Sequence, residues 1–168
     1  MKRTKIIQIV SLTVFFLGIY FHVNAQHDQS HNHIHDEHNY HFGVGGGVAS
    51  FSGEEGLEPS VHLHLLRRLN TESKWSMGIG YEGIKGERWH NGVNFLVNYR
   101  PINLVSFNAG PGFVFEKEDG KSEFLPAFHA ESVVEFTVSE LHFGPMVGLG
   151  INKEHTHISF GIHLGFGI

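Results

Sequence analysis

Cysteine is absent from the 168-residue sequence. This absence excludes a disulfide framework, a thiolate metal site, a cysteine nucleophile and a lipid-modified N-terminal cysteine. Positive charge is also scarce: three of the 12 lysines and arginines lie in the first five positions, which leaves 9 against 17 acidic residues. Such a chain is not expected to bind the phosphate backbone of nucleic acid. Beyond the N-terminal segment no run approaches 18 apolar residues, which excludes a helical membrane protein.

Residues 1–25 have the three parts of a signal peptide. Basic residues stand at positions 2, 3 and 5, residues 6–21 are largely apolar, and Val23-Asn24-Ala25 forms a small-residue cleavage site. An uncleaved anchor helix is the alternative, but Gln8, Ser11 and Thr13 weaken a membrane-spanning segment. The segment therefore predicts export, with a mature chain that begins at Gln26.

A histidine-rich tail follows at residues 26–39, and its composition predicts disorder. The candidate metal ligands of this region are His27, His31, His33, His35, Asp36, Glu37, His38 and His41. Imidazole and carboxylate groups suit Zn²⁺, Ni²⁺, Co²⁺ or Cu²⁺, and no other cofactor is expected. Because ordering a flexible tail costs entropy, we expect modest affinity and poor selectivity. The alternative is a solubilising spacer without a metal role.

From residue 40 onward the chain consists of eight short runs in which bulky apolar residues alternate with small or polar ones. The last run carries bulky residues at every even position from Ile158 to Ile168, with His, Ser and Gly between them. A period of two is typical of β-strands. Runs of about ten residues match the length of a tilted strand that crosses a membrane.

The volume of the bulky side chains indicates which face points outward. The interior of a small barrel holds about a dozen packed residues, whereas these runs carry roughly 35 large apolar side chains. Turned toward lipid, those side chains are buried, and the small and polar residues fill the lumen. Residues 40–168 are therefore predicted to form an all-β, eight-stranded, antiparallel up-and-down transmembrane β-barrel. The alternative is an open two-sheet sandwich, which would expose a large apolar surface to water.

The connections between the runs predict how the barrel is oriented. Residues 100–103 and 139–140 form short turns on one side, and polar segments at 52–59, 85–90, 117–123 and 152–155 lie on the other. With the tail in the periplasm, the second set faces outward from the cell. Pro111, Pro126 and Pro145 fall inside the runs, and we expect them to mark bulges or frayed ends.

The final run, SFGIHLGFGI, resembles the C-terminal strand of the small eight-stranded outer-membrane β-barrel proteins of Gram-negative bacteria. Gly161, Leu164 and Phe166 look like that family's assembly signal, although the chain ends in Ile168 where the family usually has Phe. The resemblance implies a cell outer-membrane location, contact with outer-membrane lipid and recognition by the outer-membrane insertion machinery. It implies no single activity, because members serve as anchors, adhesins, narrow channels or lipid-modifying enzymes.

Several polar residues are expected on the inner face of the barrel. His62, His64, His129, His142 and His163 share that face with Glu131 and Glu135. They predict either a metal or proton site, if several lie at one height, or a hydrogen-bonded polar plug in which Glu82, Glu131, Glu135 and Arg100 pair.

An enzyme is not expected. His157-Ile158-Ser159 resembles the His-x-Ser of outer-membrane lipid A deacylases, but Phe160 replaces that family's Asn and no acidic residue follows. The sequence therefore favours an outer-membrane barrel that handles divalent metal ions through its tail. A structural or narrow-pore barrel without chemistry is the alternative, and a lipid-modifying hydrolase is a remote one.

Overall fold

A computed structural model of the chain describes residues 38–86, 89–118, 121–138 and 140–168. The predicted signal peptide and most of the predicted tail lie outside these ranges. Within them the chain forms β1 (Tyr40–Phe51), β2 (Glu58–Arg68), β3 (Trp75–Lys85), β4 (Trp89–Ile102), β5 (Val105–Glu118), β6 (Lys121–Val134), β7 (Phe136–Val138), β8 (Leu141–Asn152) and β9 (Thr156–Gly167). None of the described residues belongs to a helix long and apolar enough to cross a membrane.

The strands close into a barrel through antiparallel neighbours. Their order is β6-β5-β4-β3-β2-β1-β9-β8-β7, and β6 also pairs with β8. β6 and β7 are two parts of one predicted run, separated at Glu135, whose N–H donates to the carbonyl of Leu104 at 2.7 Å. The predicted eight-stranded up-and-down barrel is therefore confirmed, with the short β7 as one extra strand.

The two faces of the strands are as different as the alternation predicts. Large apolar side chains such as Phe95, Ile79 and Phe160 are exposed on the outer surface. The inward positions carry small and polar residues together with buried apolar side chains such as Leu96 and Val133. Among the buried apolar residues, Ala49, Phe51 and Ile84 form a small cluster near the longer loops. A surface of this kind is that of a transmembrane barrel, because in lipid the apolar face is outside and closure leaves no sheet edge unpaired.

The prolines interrupt the pairing without shifting its register. Pro111 lies where the β4–β5 ladder lacks two pairs, Pro126 lies one residue beyond the last β6–β8 pair, and Pro145 lies opposite the gap between β6 and β7. The register shift of the β4–β5 ladder is instead between Tyr99 and Ile102. Each proline thus occupies a place where the missing N–H costs little. Pro126, just beyond the end of a ladder, fits the expected frayed end, whereas Pro111 and Pro145 mark gaps in the pairing without a bulge.

Candidate luminal histidine and glutamate site

Histidine and glutamate side chains line the lumen of the barrel along much of its length. The strands place these residues at inward positions because every second residue of a strand points to the same face. The buried members are His62, His64, His90, His129, His142, His157, His163, Glu82, Glu116, Glu131 and Glu135. The prediction that the lumen is filled by polar groups is confirmed for this part of the chain.

At the end of the barrel with the longer loops, Glu116 is fully satisfied. Its carboxylate accepts hydrogen bonds from His90 Nδ1 at 3.0 Å, from His155 Nε2 at 2.8 Å and from Asn152 Nδ2 at 3.2 Å. The side chain of Glu154 also approaches Glu116 and His155, so that one ligand atom from each lies within 4.8 Å of the others. This group forms a hydrogen-bonded network at that end of the lumen.

Glu82 lies one step deeper in the lumen, between two histidines. Its Oε2 accepts a hydrogen bond from His157 Nε2 at 3.0 Å and lies 3.4 Å from His129 Nδ1. Ligand atoms of Glu82, His90 and His157 lie within 4.8 Å of one another. These three side chains, together with His129, line a small cavity of about 10 Å³, which is close to the space that a single water needs.

The centre of the lumen holds His62, His129 and Glu131. One ligand atom from each lies within 4.8 Å of the others, and His62 Nδ1 is 3.2 Å from Glu131 Oε2. Neither of these two atoms forms a hydrogen bond, and both ring nitrogens of His129 are also without one. The other Glu131 oxygen accepts a hydrogen bond from Asn108 Nδ2 at 2.9 Å.

Nearer the chain termini, three imidazoles come together from three adjacent strands. His41 on β1, His64 on β2 and His163 on β9 have ligand atoms within 4.8 Å of one another. The rings of His64 and His163 stack with centroids 5.0 Å apart, and His41 lies 5.4 Å from His64. His64 Nε2 and both nitrogens of His163 are buried without a hydrogen-bond partner.

Glycines on the inner face of β1 make room for these rings. A Cβ built at Gly43 would collide with the imidazoles of His64 and His163. The outward-facing Gly46 would meet nothing within 4 Å. The glycine-rich start of the barrel therefore creates the space that the histidines of the neighbouring strands fill.

The predicted polar plug forms only in part. Arg100 pairs with Glu135, and Ser106 Oγ donates to the same carboxylate at 2.7 Å. Glu82 and Glu131 instead face histidines. Carboxylate–histidine contacts therefore dominate the lumen, which the plug hypothesis did not include.

The structure describes two of the predicted metal ligands of the tail region, His38 and His41. His27, His31, His33, His35, Asp36 and Glu37 lie outside the described residues. His38 Nε2 lies 3.8 Å from Glu140 Oε1, and His41 faces the lumen on β1. Of the set predicted along the tail, the structure thus brings His41 together with the luminal residues His64 and His163.

Sequence reasoning missed part of the site. His90 was assigned to a polar loop, but it begins the inward face of β4 two residues before Gly92. Its even spacing from Gly92 and Asn94 is the signal that could have identified it. His155 and Glu116 were not predicted as partners, because their contact joins a loop to a strand 39 residues away.

The His-x-Ser motif does not form a catalytic pair. His157 is hydrogen-bonded to Glu82, and Ser159 Oγ is buried without a hydrogen-bond partner. A hydrolase would require the histidine to accept the serine proton and the serine to reach its substrate. Both side chains are buried inside the barrel, so the geometry gives no support to a lipid-modifying hydrolase.

No protein-family model and no curated protein matches the sequence. Among solved structures, Neisserial surface protein A is similar over 77% of this chain and 96% of its own, with a TM-score of 0.54 and 10% identity. The Yersinia pestis outer membrane protein Ail in a phospholipid bilayer nanodisc is similar over 76% of this chain and 99% of its own, with a TM-score of 0.52 and 11% identity. A de novo designed transmembrane β-barrel also matches, over 74% of this chain and 94% of its own, with a TM-score of 0.52 and 15% identity. The chain therefore has the fold of the small eight-stranded outer-membrane β-barrel proteins.

Proposed function

We propose that this protein is an outer-membrane barrel that binds divalent transition-metal ions at the end where its chain begins. The ligands are the histidines of the N-terminal tail and the imidazole cluster of His41, His64 and His163. In this proposal the tail lies in the periplasm, the apolar outer surface contacts outer-membrane lipid, and the insertion machinery recognises β9.

The observation that carries the proposal is the position of His41. It is the last histidine of the tail region, and its ring lies beside His64 and His163 inside the barrel. Three neutral imidazole nitrogens with an open fourth position are a donor set that Zn²⁺ accepts, and Ni²⁺, Co²⁺ and Cu²⁺ also bind imidazole. The unpartnered nitrogens of His64 and His163 are free to act as ligands.

The tail carries further imidazole ligands in the same chain. His35 precedes His41 by six residues, which is at most about 20 Å of extended chain. The tail histidines are therefore a second donor set of the proposed function, and the titrations below separate their contribution from that of the cluster.

Titration of the refolded mature protein with ZnCl₂ or NiCl₂ tests this function. Calorimetry should show binding that weakens when residues 27–39 are deleted and weakens again when His41 is replaced in H41N. The matched control is H155N at the opposite end of the barrel, which should leave the tail-dependent component unchanged. Growth of cells under zinc or nickel limitation or excess gives the physiological test. If the deletion affects neither titration nor growth, the barrel has a structural role instead.

A further inference from the structure

We propose that His62, His129 and Glu131 form a second metal site, buried at the centre of the lumen and independent of the tail. The site takes one divalent transition-metal ion, and its donor set fits Zn²⁺ best. Two imidazoles and one carboxylate, with a fourth position left for water or another ligand, are a combination that zinc takes in proteins.

Several ligand atoms of this site are buried without hydrogen-bond partners. His62, His129 and Glu131 are 2%, 3% and 4% exposed, so water does not reach them freely. His62 Nδ1, Glu131 Oε2 and both nitrogens of His129 nevertheless have no hydrogen bond. Buried polar atoms are nearly always satisfied in folded proteins. Unpartnered atoms that converge from three side chains indicate a ligand, and a cation satisfies one atom of each side chain at once.

The distance between two of the ligand atoms also fits a bound ion. Two ligands held at about 2.1 Å from one tetrahedral ion lie about 3.4 Å apart. The separation of His62 Nδ1 and Glu131 Oε2 is 3.2 Å. The histidine–carboxylate contacts that form hydrogen bonds elsewhere in the lumen are 2.8 to 3.0 Å long. The spacing of the central pair is close to that of two ligands of one ion.

Neighbouring side chains contact the three ligands and orient them toward one point. Asn108 Nδ2 donates to Glu131 Oε1, which leaves Oε2 for the ion. His62 Nε2 and His64 Nδ1 are 3.0 Å apart, and when His62 Nε2 donates the proton between them, His62 Nδ1 presents a lone pair to the ion. His64 Nε2 then carries a proton of its own, so His64 does not serve as a ligand of the cluster with His41 and His163 while the central site is occupied. Glu82 Oε2 lies 3.4 Å from His129 Nδ1, where it can hold the proton of that nitrogen while Nε2 binds the ion. Partners of this kind orient metal-binding histidines and carboxylates in proteins.

Charge distinguishes this site from the other luminal groups. Glu131 neutralises half of a divalent charge, and Glu82 contacts His129 from outside the ligand set. The carboxylate of Glu116 is already occupied by three donors, and the cluster of His41, His64 and His163 has no carboxylate of its own. In the group of Glu82, His90 and His157, Oε2 of Glu82 already accepts a hydrogen bond from His157. A buried cation needs compensating charge, so the central site is the place for a tightly held ion.

The test uses a protein that lacks the tail ligands and His41, so that the metal binding described under Proposed function does not contribute. The mature chain without residues 27–39 and with H41N is refolded, loaded with ZnCl₂, passed over a chelating resin and analysed for metal content. We expect one zinc ion to remain per folded barrel. E131Q and H129N should each lower the affinity for zinc by about 100-fold. The control H142N removes a buried luminal histidine outside the site and should retain the ion.

Cobalt provides a readout that does not depend on the folding of E131Q, H129N or H142N. The parent protein for this measurement is the refolded chain without residues 27–39 and with H41N. CoCl₂ added to it should give the intense visible bands of a low-coordinate ion, and zinc should bleach them. Folding is checked for every sample by the gel shift on boiling that is typical of small barrels. A folded parent that keeps no zinc and gives no cobalt bands would overturn the inference, as would equal zinc loss in H142N and E131Q. Neither result would bear on the tail-dependent binding, which is measured with the complete mature chain.

Discussion

His62 Nδ1 and Glu131 Oε2 face each other at 3.2 Å across the lumen without forming a hydrogen bond. Their strands, β2 and β6, are opposite in the closed sheet, with three strands between them in one direction and β1, β9 and β8 in the other. Binding of an ion at this site would therefore connect two opposite walls of the barrel. Such a link adds to stability in proportion to the logarithm of the metal concentration over its dissociation constant.

Charge on the outer surface should be costly at the middle of a strand. Phe95 is the seventh residue of the 14-residue β4 and is 65% exposed. F95R places a guanidinium against hydrocarbon, and we expect it to lower the free energy of unfolding by about 2–4 kcal/mol. Denaturant unfolding of the protein in lipid vesicles measures this change.

Leu57 offers a matched control for that substitution. It is 66% exposed but lies between β1 and β2, outside the strands. L57R should change the unfolding free energy by less than about 0.5 kcal/mol, as surface substitutions usually do. Equal effects of F95R and L57R would contradict a lipid-facing surface on β4.

Removal of Arg100 should leave a buried charge uncompensated. Glu135 is 3% exposed, and Arg100 is its paired cation. We expect R100M to lower the free energy of unfolding by about 3–5 kcal/mol, and E135Q combined with R100M to recover part of that loss. The exposed pair of Lys153 and Glu154 is the control, and K153M should cost no more than about 1 kcal/mol. Unfolding curves that show no difference between R100M and K153M would refute the assignment.

A methyl group on the inner face of β1 should disturb the imidazole cluster. In G43A the added Cβ meets the rings of His64 and His163, so that the rings must move. We expect G43A to weaken the tail-dependent zinc binding by at least about tenfold, because ligands must be held in their geometry. G46A has open space around its Cβ and should leave the affinity unchanged. Calorimetry on both variants distinguishes loss of the cluster from a general effect of replacing glycine.

Zinc binding by the tail should weaken in acid. An imidazole with a pKa of about 6.5 is mostly neutral at pH 7.5 and can bind a metal ion, whereas at pH 5.5 it is mostly protonated and cannot. Each histidine ligand should therefore raise the apparent dissociation constant by about tenfold between these pH values. Titrations of the mature chain over this range measure the slope. A constant affinity would mean that carboxylates bind the ion and that the tail histidines do not.

The fold was predictable because its cause is a local pattern repeated eight times. Alternation specifies which residues share a face, and the volume of one face specifies that this face is outside. Glu135 shows the limit of such reasoning. It lies in register with the inward residues of the sixth run, yet its pairing with Arg100 and its hydrogen bond to Leu104 interrupt the strand. The pairing with Arg100 is among those expected of the polar plug, but the hydrogen bond to Leu104 comes from the turn after β4 and cannot be derived from a local pattern.

The site was predictable in composition but not in arrangement. The alternation of inward and outward positions is enough to place His62, His129 and Glu131 in the lumen. Whether they lie at the same height along the barrel axis depends on the stagger between β2 and β6. Stagger arises from closure of the whole sheet, and a one-residue slip would reverse the face of every side chain. The same reason explains why His41 was grouped with the tail. Its neighbour His64 belongs to the next strand, and its neighbour His163 belongs to the last one, which meets β1 only when the barrel closes.

The cluster of His41 and His163 is built from the first strand and the last. β1 and β9 pair only when the cylinder is complete, with Tyr40 and Ile168 exchanging backbone hydrogen bonds at 3.1 and 2.9 Å. Before the barrel closes, the chain therefore lacks the complete cluster of His41, His64 and His163. If the cluster binds an ion as proposed, its occupancy would report that the first and last strands have paired.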